Sequence, residues 1–257
     1  MTDFLDKLIA DAEERIMKGY YDETREVHHE HLSLSGAIKH SNNNAIIAEI
    51  KPKSPARGTL RAGLDPKDAA IQLARGGATG LSVLTEPDNF GGTIGSLVQV
   101  RMTVDIPLLM KDVIVGEKQI NAARNSGADC VLLMLSALTR KRILPTDLIK
   151  KAHNSQLEVI LEVHDTDEFE YASQTEAEII GINNRNLKDL VIDLNTTTRL
   201  LDSSPHLRDK TILSESGFET VEDIRRLKGT GVDGFLIGSS IMLATNLESK
   251  VREFVYA

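Results

Sequence analysis

Eight short apolar runs recur between residues 45 and 257: Ala45–Ile50, Gly80–Leu84, Pro107–Met110, Asp129–Leu135, Leu157–Val163, Ile179–Ile182, Thr211–Leu213 and Gly234–Ile237. Between them lie stretches such as Asp68–Arg75, Glu117–Arg124, Asp167–Ala172 and Thr220–Leu227, whose apolar residues fall at helical spacing. Several runs share an entry: Gly77-Ala78-Thr79-Gly80, Gly127-Ala128-Asp129-Cys130 and Gly231-Val232-Asp233-Gly234 each read as a helix stopped by glycine, with a strand following at once. Ala78, Ala128 and Ala177 stand 50 and 49 residues apart, which fits two strand–helix units per interval. The runs are continuously apolar rather than alternating, as in a parallel sheet covered by helices. An open doubly wound sheet shares this rhythm. Eight units of about 27 residues favour the closed (β/α)8 TIM barrel, and 257 residues is an ordinary length for one.

Residues 1–44 stand outside the repeat and read as a helical N-terminal extension, so that 1–257 form a single barrel domain. Phe4, Leu5, Leu8, Ile9, Ala12 and Ile16 recur at helical spacing, and a second helical stretch runs from Leu32 to His40. The tract Ser41-Asn42-Asn43-Asn44 then marks a turn.

Charge narrows the function classes. The formal net charge is −8, from 30 basic and 38 acidic residues, which argues against nucleic acid or an anionic membrane surface as partner. Aromatics are 4% and Trp is absent, so base-stacking platforms are not expected. No apolar run is long enough to span a bilayer, and the acidic start Met1-Thr2-Asp3 does not resemble a secretory signal, so a cytoplasmic location is expected. The lone Cys130 allows neither an intrachain disulfide nor a cysteine-based zinc site. His28, His29 and His31 carry no accompanying ligand motif, and no metal is expected. Asn195-Thr196-Thr197 fits a glycosylation sequon, which is void without secretion. The sequence does not set the oligomeric state; a monomer is the working expectation.

In a barrel of this kind the active site lies at the carboxyl ends of the strands. Glu49 and Lys51 end the first run and share one face by strand alternation. A salt bridge at the strand exit would explain the pair equally well. Lys111 follows the third run, Glu162 interrupts the fifth, Asn183 and Arg185 follow the sixth, and Glu215 follows the seventh. Charges at the ends of so many apolar strands are costly unless paired or used. Runs seven and eight lead into Ser216-Gly217 and Gly238-Ser239-Ser240, where backbone N–H groups can approach a phosphate. Lys53 and Ser54, in the loop after the first run, add a cation and a hydroxyl. Leu84, Phe90, Leu133 and Ile182 are candidates for an apolar wall beside the site.

These strand-end motifs, in this order, resemble the indole-3-glycerol-phosphate synthase family of tryptophan biosynthesis. The stretches that carry the likeness include Ile47-Ala48-Glu49-Ile50-Lys51-Pro52-Lys53-Ser54-Pro55, Met110-Lys111-Asp112, Leu161-Glu162-Val163, Gly181-Ile182-Asn183-Asn184-Arg185, Ser214-Glu215-Ser216-Gly217 and Ile237-Gly238-Ser239-Ser240. Two departures stand out: Val113 where the family usually has Phe, and Ala56-Arg57 where it usually has Ser-Lys.

The resemblance implies a lyase that closes a pyrrole ring on 1-(2-carboxyphenylamino)-1-deoxyribulose 5-phosphate, with loss of carbon dioxide and water, and without a cofactor. It implies Lys111 as general acid at the ketone and Lys51 as the cation that holds the substrate carboxylate or serves as second acid. Glu162 would be the base or the stabiliser of developing positive charge. Glu49 and Glu215 would orient the lysines, Asn183 would bond the reacting hydroxyl, and Arg185 would support as an ion-pair partner. Lys53, Ser54, Ser216, Gly217, Gly238 and Ser239 would hold the phosphate, with Leu84, Phe90, Leu133 and Ile182 around the aromatic ring. A free lysine, with a pKa of about 10.4, is a weak proton donor at neutral pH. A neighbouring lysine would lower that value and neighbouring carboxylates would raise it. The rival readings are another phosphate-binding barrel enzyme, such as phosphoribosylanthranilate isomerase, and a barrel that has lost activity and serves as a subunit.

Overall fold

Strand β1 (Ala45–Ile50) is bonded in parallel to β2 (Gly80–Leu84) on one side and to β8 (Gly234–Ile237) on the other, which closes the sheet on itself. The remaining barrel strands are β3 (Leu108–Lys111), β4 (Cys130–Met134), β5 (Glu158–Val163), β6 (Ile179–Asn183) and β7 (Thr211–Glu215), each parallel to its neighbours in chain order. The computed structural model describes residues 3–22, 24, 26–187, 189–203 and 210–257. The eight expected runs and the eight observed strands agree to within two residues at every end. A two-residue antiparallel ribbon, Lys53–Ser54 against Gly58–Thr59, stands above β1.

The helices follow from local chemistry. Helix α1 (Phe4–Met17) opens with a reciprocal cap between Asp3 and Asp6, and α2 (Leu34–Lys39) is capped by Ser33. Helix α3 (Pro66–Arg75) starts behind Asp65 with proline at its first position. The layer continues with α4 (Ile94–Arg101), α5 (Glu117–Asn125), α6 (Leu135–Lys141), α7 (Pro145–Asn154), α8 (Thr166–Ser173), α9 (Asn195–Ser203) and α10 (Val221–Leu227). The chain ends with the short α11 (Ser239–Met242) and α12 (Leu247–Val255). The repeated Gly–Ala entry has a physical basis. After α3 and α5 the backbone turns left-handed at Gly77 (φ +93°) and Gly127 (φ +85°). The following Ala78 and Ala128 amides then bond back to the carbonyls of Leu73 and Ala123, at 3.2 and 3.0 Å. The next residue enters the sheet: Thr79 N–H bonds Ile46 O and Asp129 N–H bonds Leu108 O, both at 2.9 Å.

Two apolar layers result. Ala48, Val83, Met110, Leu133, Leu161 and Ile182 face outward, where the helices cover them. Ile47, Leu109, Cys130, Leu132, Ile160 and Leu213 fill the barrel interior. The extension at 1–44 is helical only at α1 and α2 among its described residues. Helix α1 packs Leu5, Leu8, Ile9 and Ala12 with Val113, Val115 and Met134, near the carboxyl ends of the strands. The segment 26–33 runs without helix along the opposite, amino-terminal end, and α2 plugs that end by packing Leu34 and Ile38 with Ala45 and Ile47. His29 and His31 belong to this strap: their Nε2 atoms lie 3.0 Å from Asp129 Oδ1 and 3.2 Å from Asp129 O. No helix among the described residues is long and apolar enough to cross a membrane.

Candidate active site

Polar residues at the ends of several barrel strands converge on one cavity at the carboxyl rim, with Glu215 behind it against Lys111. Glu49, Lys51, Lys111, Glu162, Asn183 and Arg185 line it, together with Ser54, Ser216, Gly217, Gly238 and Ser239. The register explains the convergence: Glu162 on β5 sits beside Met134 of β4 and Gly181 of β6, and Asn183 sits beside Glu215 of β7. All face inward. Gly181 is required there, because a Cβ would stand 2.2 Å from Glu215 Oε1.

Lys111 is the hub. Its Nζ donates to Glu215 Oε2 at 2.6 Å and lies 3.8 Å from Glu49 Oε2 and 3.9 Å from Glu162 Oε2. Glu49 turns its other oxygen to Lys51, and Ser82 Oγ donates to Glu49 at 3.4 Å. Burial opposes the charge on Lys111, but Glu215, Glu49 and Glu162 together outweigh it and hold its pKa above the ordinary lysine range. The three carboxylates therefore decide the sign that the sequence left open. Burial also pushes at Glu49, yet Lys51 and Lys111 keep it below the usual carboxylate range. Glu215 goes the other way: burial, with added repulsion from Glu162, pushes it up to about 7 against the pull of Lys111. Among the described residues, Oε1 of Glu162 and Oε1 of Glu215 are buried without a hydrogen-bond donor.

The strand end that carries Lys111 is anchored from below. Asp112 accepts from Thr85 Oγ1 at 2.7 Å, from Tyr21 at 3.1 Å and from its neighbour Val113 N–H at 2.8 Å. Arg15 of α1 bonds Glu86 at 2.8 Å, and Glu86 accepts from the amides of Asp88, Asn89 and Phe90. That loop presents Phe90 to the cavity.

The opposite wall is made of small residues and two arginines. Ser216 and Gly217 take consecutive left-handed conformations, φ +68° and +98°, at the end of β7. Asn184 holds this turn: its buried amide donates to Ser214 Oγ and to the carbonyls of Glu215 and Ser216, at 3.0–3.1 Å. Gly238 leads β8 into α11, and Ser240 Oγ donates to Phe218 O at 2.6 Å, tying the two loops together. Gly238 has no space for a side chain, since a Cβ would meet Glu49 Oε1 at 2.5 Å and Lys51 Nζ at 2.9 Å. Arg185 and Arg57 both line the cavity, and burial plus the charge of Arg57 push the Arg185 guanidinium below its ordinary pKa. Arg185 donates to Leu190 O at 3.0 Å, while its backbone N–H fixes the amide of Asn183 through a 3.0 Å bond to Oδ1.

The chain is matched over residues 5–254 by the family model for indole-3-glycerol phosphate synthase. It belongs to that family. It is 45% identical over 229 residues to the indole-3-glycerol phosphate synthase of Methanocaldococcus jannaschii, covering 87% of this chain and 83% of that protein. It is 40% identical over 225 residues to that of Haloarcula marismortui (86% and 81% covered) and 37% identical over 226 residues to that of Acetivibrio thermocellus (88% and 85% covered). The solved structure of thiamine phosphate pyrophosphorylase from Pyrococcus furiosus superposes with a TM-score of 0.62 at 16% identity, covering 86% of this chain and 96% of that one, a likeness of fold alone.

Within this member of the family, three of the expected site residues are placed elsewhere. Leu133 and Ile182 do not line the cavity; both are fully buried under the helix layer. Strand alternation is the reason: Ile182 pairs with Val163, one residue beyond the inward-facing Glu162, and Leu133 lies between the inward-facing Leu132 and Met134. Lys53 turns away from the cavity, its ammonium donating to Asp88 O. The apolar wall instead combines Leu84 and Phe90 with Leu132, Met134, Val113 and, from the N-terminal helix, Phe4 and Leu8. The amphipathic spacing of α1 signalled a buried stripe but not the surface it would meet. Val113, a departure from the family pattern, is part of this wall.

Proposed function

We propose that the chain catalyses the reaction for which its family is named: the conversion of 1-(2-carboxyphenylamino)-1-deoxyribulose 5-phosphate to indole-3-glycerol phosphate. The observation that carries this reading is the pair Lys111 and Lys51, each held by a buried carboxylate, facing one cavity across from the Ser216–Gly217 and Gly238–Ser239 turns. The phosphate binds at those two turns, with Arg185 and Ser54 nearby, in the usual phosphate position of such barrels, where a short extra helix follows strand eight. The anthranilate ring lies against Leu84, Phe90 and Val113, and Lys51 neutralises its carboxylate.

The ring carbon bearing that carboxylate attacks the ketone carbon. Lys111 donates a proton to the ketone oxygen as the new bond forms. Its raised pKa keeps it protonated at neutral pH, and the alkoxide it meets is a stronger base still. Carbon dioxide then departs and restores aromaticity. The new hydroxyl leaves as water with a proton from Lys51 or Lys111, and Glu162 stabilises the positive charge at nitrogen and accepts a proton in this dehydration. Asn183 bonds the reacting hydroxyl, while Glu49 and Glu215 hold the lysines in place. The chemistry draws on no redox cofactor. A cytoplasmic site of action and a free phosphorylated substrate, with no nucleic acid, membrane or obligatory subunit, belong to the same reading.

The test is direct. Purified protein, treated with a chelator, is mixed with the substrate and indole fluorescence is followed. The signal should grow in the wild type and fail in Lys111→Ala; silence from a folded wild-type protein would overturn the reading.

A further inference from the structure

Glu162 has two sides, and the mechanism above uses one of them. Oε2 looks into the cavity toward Lys111, at 3.9 Å, whereas Oε1 looks away from it toward a histidine. His164 follows the end of β5, with its side chain 16% exposed and outside the main cavity. Its Nε2 lies 3.4 Å from Glu162 Oε1, and its Nδ1 lies 3.3 Å from Glu168 Oε2. Glu168 is itself fixed: it accepts the backbone N–H of His164 at 2.8 Å, and its own amide is capped by Asp165 at 2.9 Å in the first turn of α8. The ring is thus clamped at Nδ1, while Nε2 faces Glu162 at ion-pair distance without a hydrogen bond.

A carboxylate only accepts hydrogen bonds, and a neutral imidazole has a single N–H. With a carboxylate oxygen facing each nitrogen, the neutral ring would set a lone pair against one of them; only the imidazolium can donate to both. The surroundings favour the same form. Glu162 approaches from the strand, Glu168 from α8, and Glu215 adds its field from β7, against the opposing effect of burial. His164 also lines a second cavity with Asp165, Asp189 and Asp193 and with Arg185 and Arg199, so the cations there are balanced.

We infer that His164 is a positioning residue for the reaction: clamped by Glu168, it holds Glu162 turned toward the cavity. The inference rests on the reading of Glu162 as the base or charge stabiliser. Without His164, Oε1 of Glu162 loses its facing cation and Lys111, already bonded to Glu215, is the one that remains. The carboxylate then loses its fixed orientation.

The experiment is a kinetic comparison, by kcat and KM, of wild type, His164→Leu, His164→Gln, Glu162→Gln and the double variant His164→Leu/Glu162→Gln, with melting temperatures to confirm folding. His164→Leu should lower kcat about ten-fold with KM within about two-fold. His164→Gln, which donates a hydrogen bond without a charge, should regain part of kcat. In the Glu162→Gln background the leucine should add less than about two-fold, because the group it acts through is gone. Wild-type kcat in both histidine variants, beside an impaired Glu162→Gln, would overturn the positioning role while leaving Glu162 in the mechanism. Additive losses in the double variant would overturn it too. Normal turnover by Glu162→Gln would instead remove the reading of Glu162 on which the inference stands.

Discussion

At the amino-terminal end of the barrel, Asp129 accepts from His29 Nε2 at 3.0 Å, Leu32 N–H at 2.9 Å, Arg101 Nη2 at 2.7 Å and Leu108 N–H at 2.8 Å. Its neighbour Glu158 accepts from both hydroxyls of Ser33 and Ser35 and from the Ser35 amide, at 2.6–2.8 Å. At the carboxyl end the buried carboxylates Glu162 and Glu215 each keep one oxygen without a hydrogen-bond donor among the described residues. Both ends bury acids in the same barrel, but only at the rim do two of them keep an unsatisfied oxygen among the described residues. The floor spends its polar groups on closing the fold, with the strap at 26–33 and α2 supplying the donors. The rim gathers three carboxylates around one ammonium and leaves one oxygen of Glu162 and one of Glu215 without a donor, as a site does when charge is held for chemistry and not for closing the fold.

That contrast can be broken from either end. The largest effect should come from the floor: Asp129→Ala strands Arg101 and His29 in the interior, and should lower stability by about 3–5 kcal/mol in a denaturant melt. The turnover of the molecules that remain folded should be unchanged. Lys111→Ala should do the reverse, cutting kcat by about 10²-fold or more in the fluorescence assay, which is roughly 3 kcal/mol of transition-state stabilisation.

A subtler probe is the pH dependence of Glu215. With its folded pKa raised to about 7, the native state binds a proton more readily than the unfolded chain. Stability should therefore be greatest near the ordinary carboxylate pKa and fall as pH rises toward 7. Glu215→Gln carries no such loss, so its melting temperature relative to wild type should rise between pH 5 and 7, on the order of 5 °C across that window. A difference that stays flat with pH would show that Glu215 is already ionised. The smallest effect belongs to the proposed phosphate site: Ser216→Asp should raise KM about ten-fold or more by repelling phosphate, with a lesser change in kcat.

The barrel was legible because strand ends carry their own markers. Glycine followed by alanine announces the stops of α3 and α5, and a charge at the end of an apolar run announces the rim. Glu49, Lys51, Lys111, Glu162, Asn183 and Glu215 were readable for that reason, and the structure brings all of them together. Facing is harder to read. In β4 every residue from Cys130 to Met134 is apolar, so nothing in the run says that Leu132 points inward and Leu133 outward. In β6 the marker was present: Asn183 at the rim already implies that Ile182 faces the helices. Lys53 and Phe4 depend on partners supplied by other segments, the Asp88 carbonyl and the cavity mouth, which local pattern does not reveal. His164 sits at a strand-to-helix turn and reads as ordinary turn chemistry until Glu168 is seen to return against it.

The sharpest single measurement is a paired readout on Glu162→Gln: its melting temperature and its kcat on the anilino-deoxyribulose phosphate, both against wild type. If the rim keeps its carboxylates for chemistry and the floor keeps its own for folding, kcat falls by about 10²-fold or more while the melting temperature holds or rises. A protein that melts earlier yet turns over at the wild-type rate would contradict that division and make Glu162 a structural acid like Asp129.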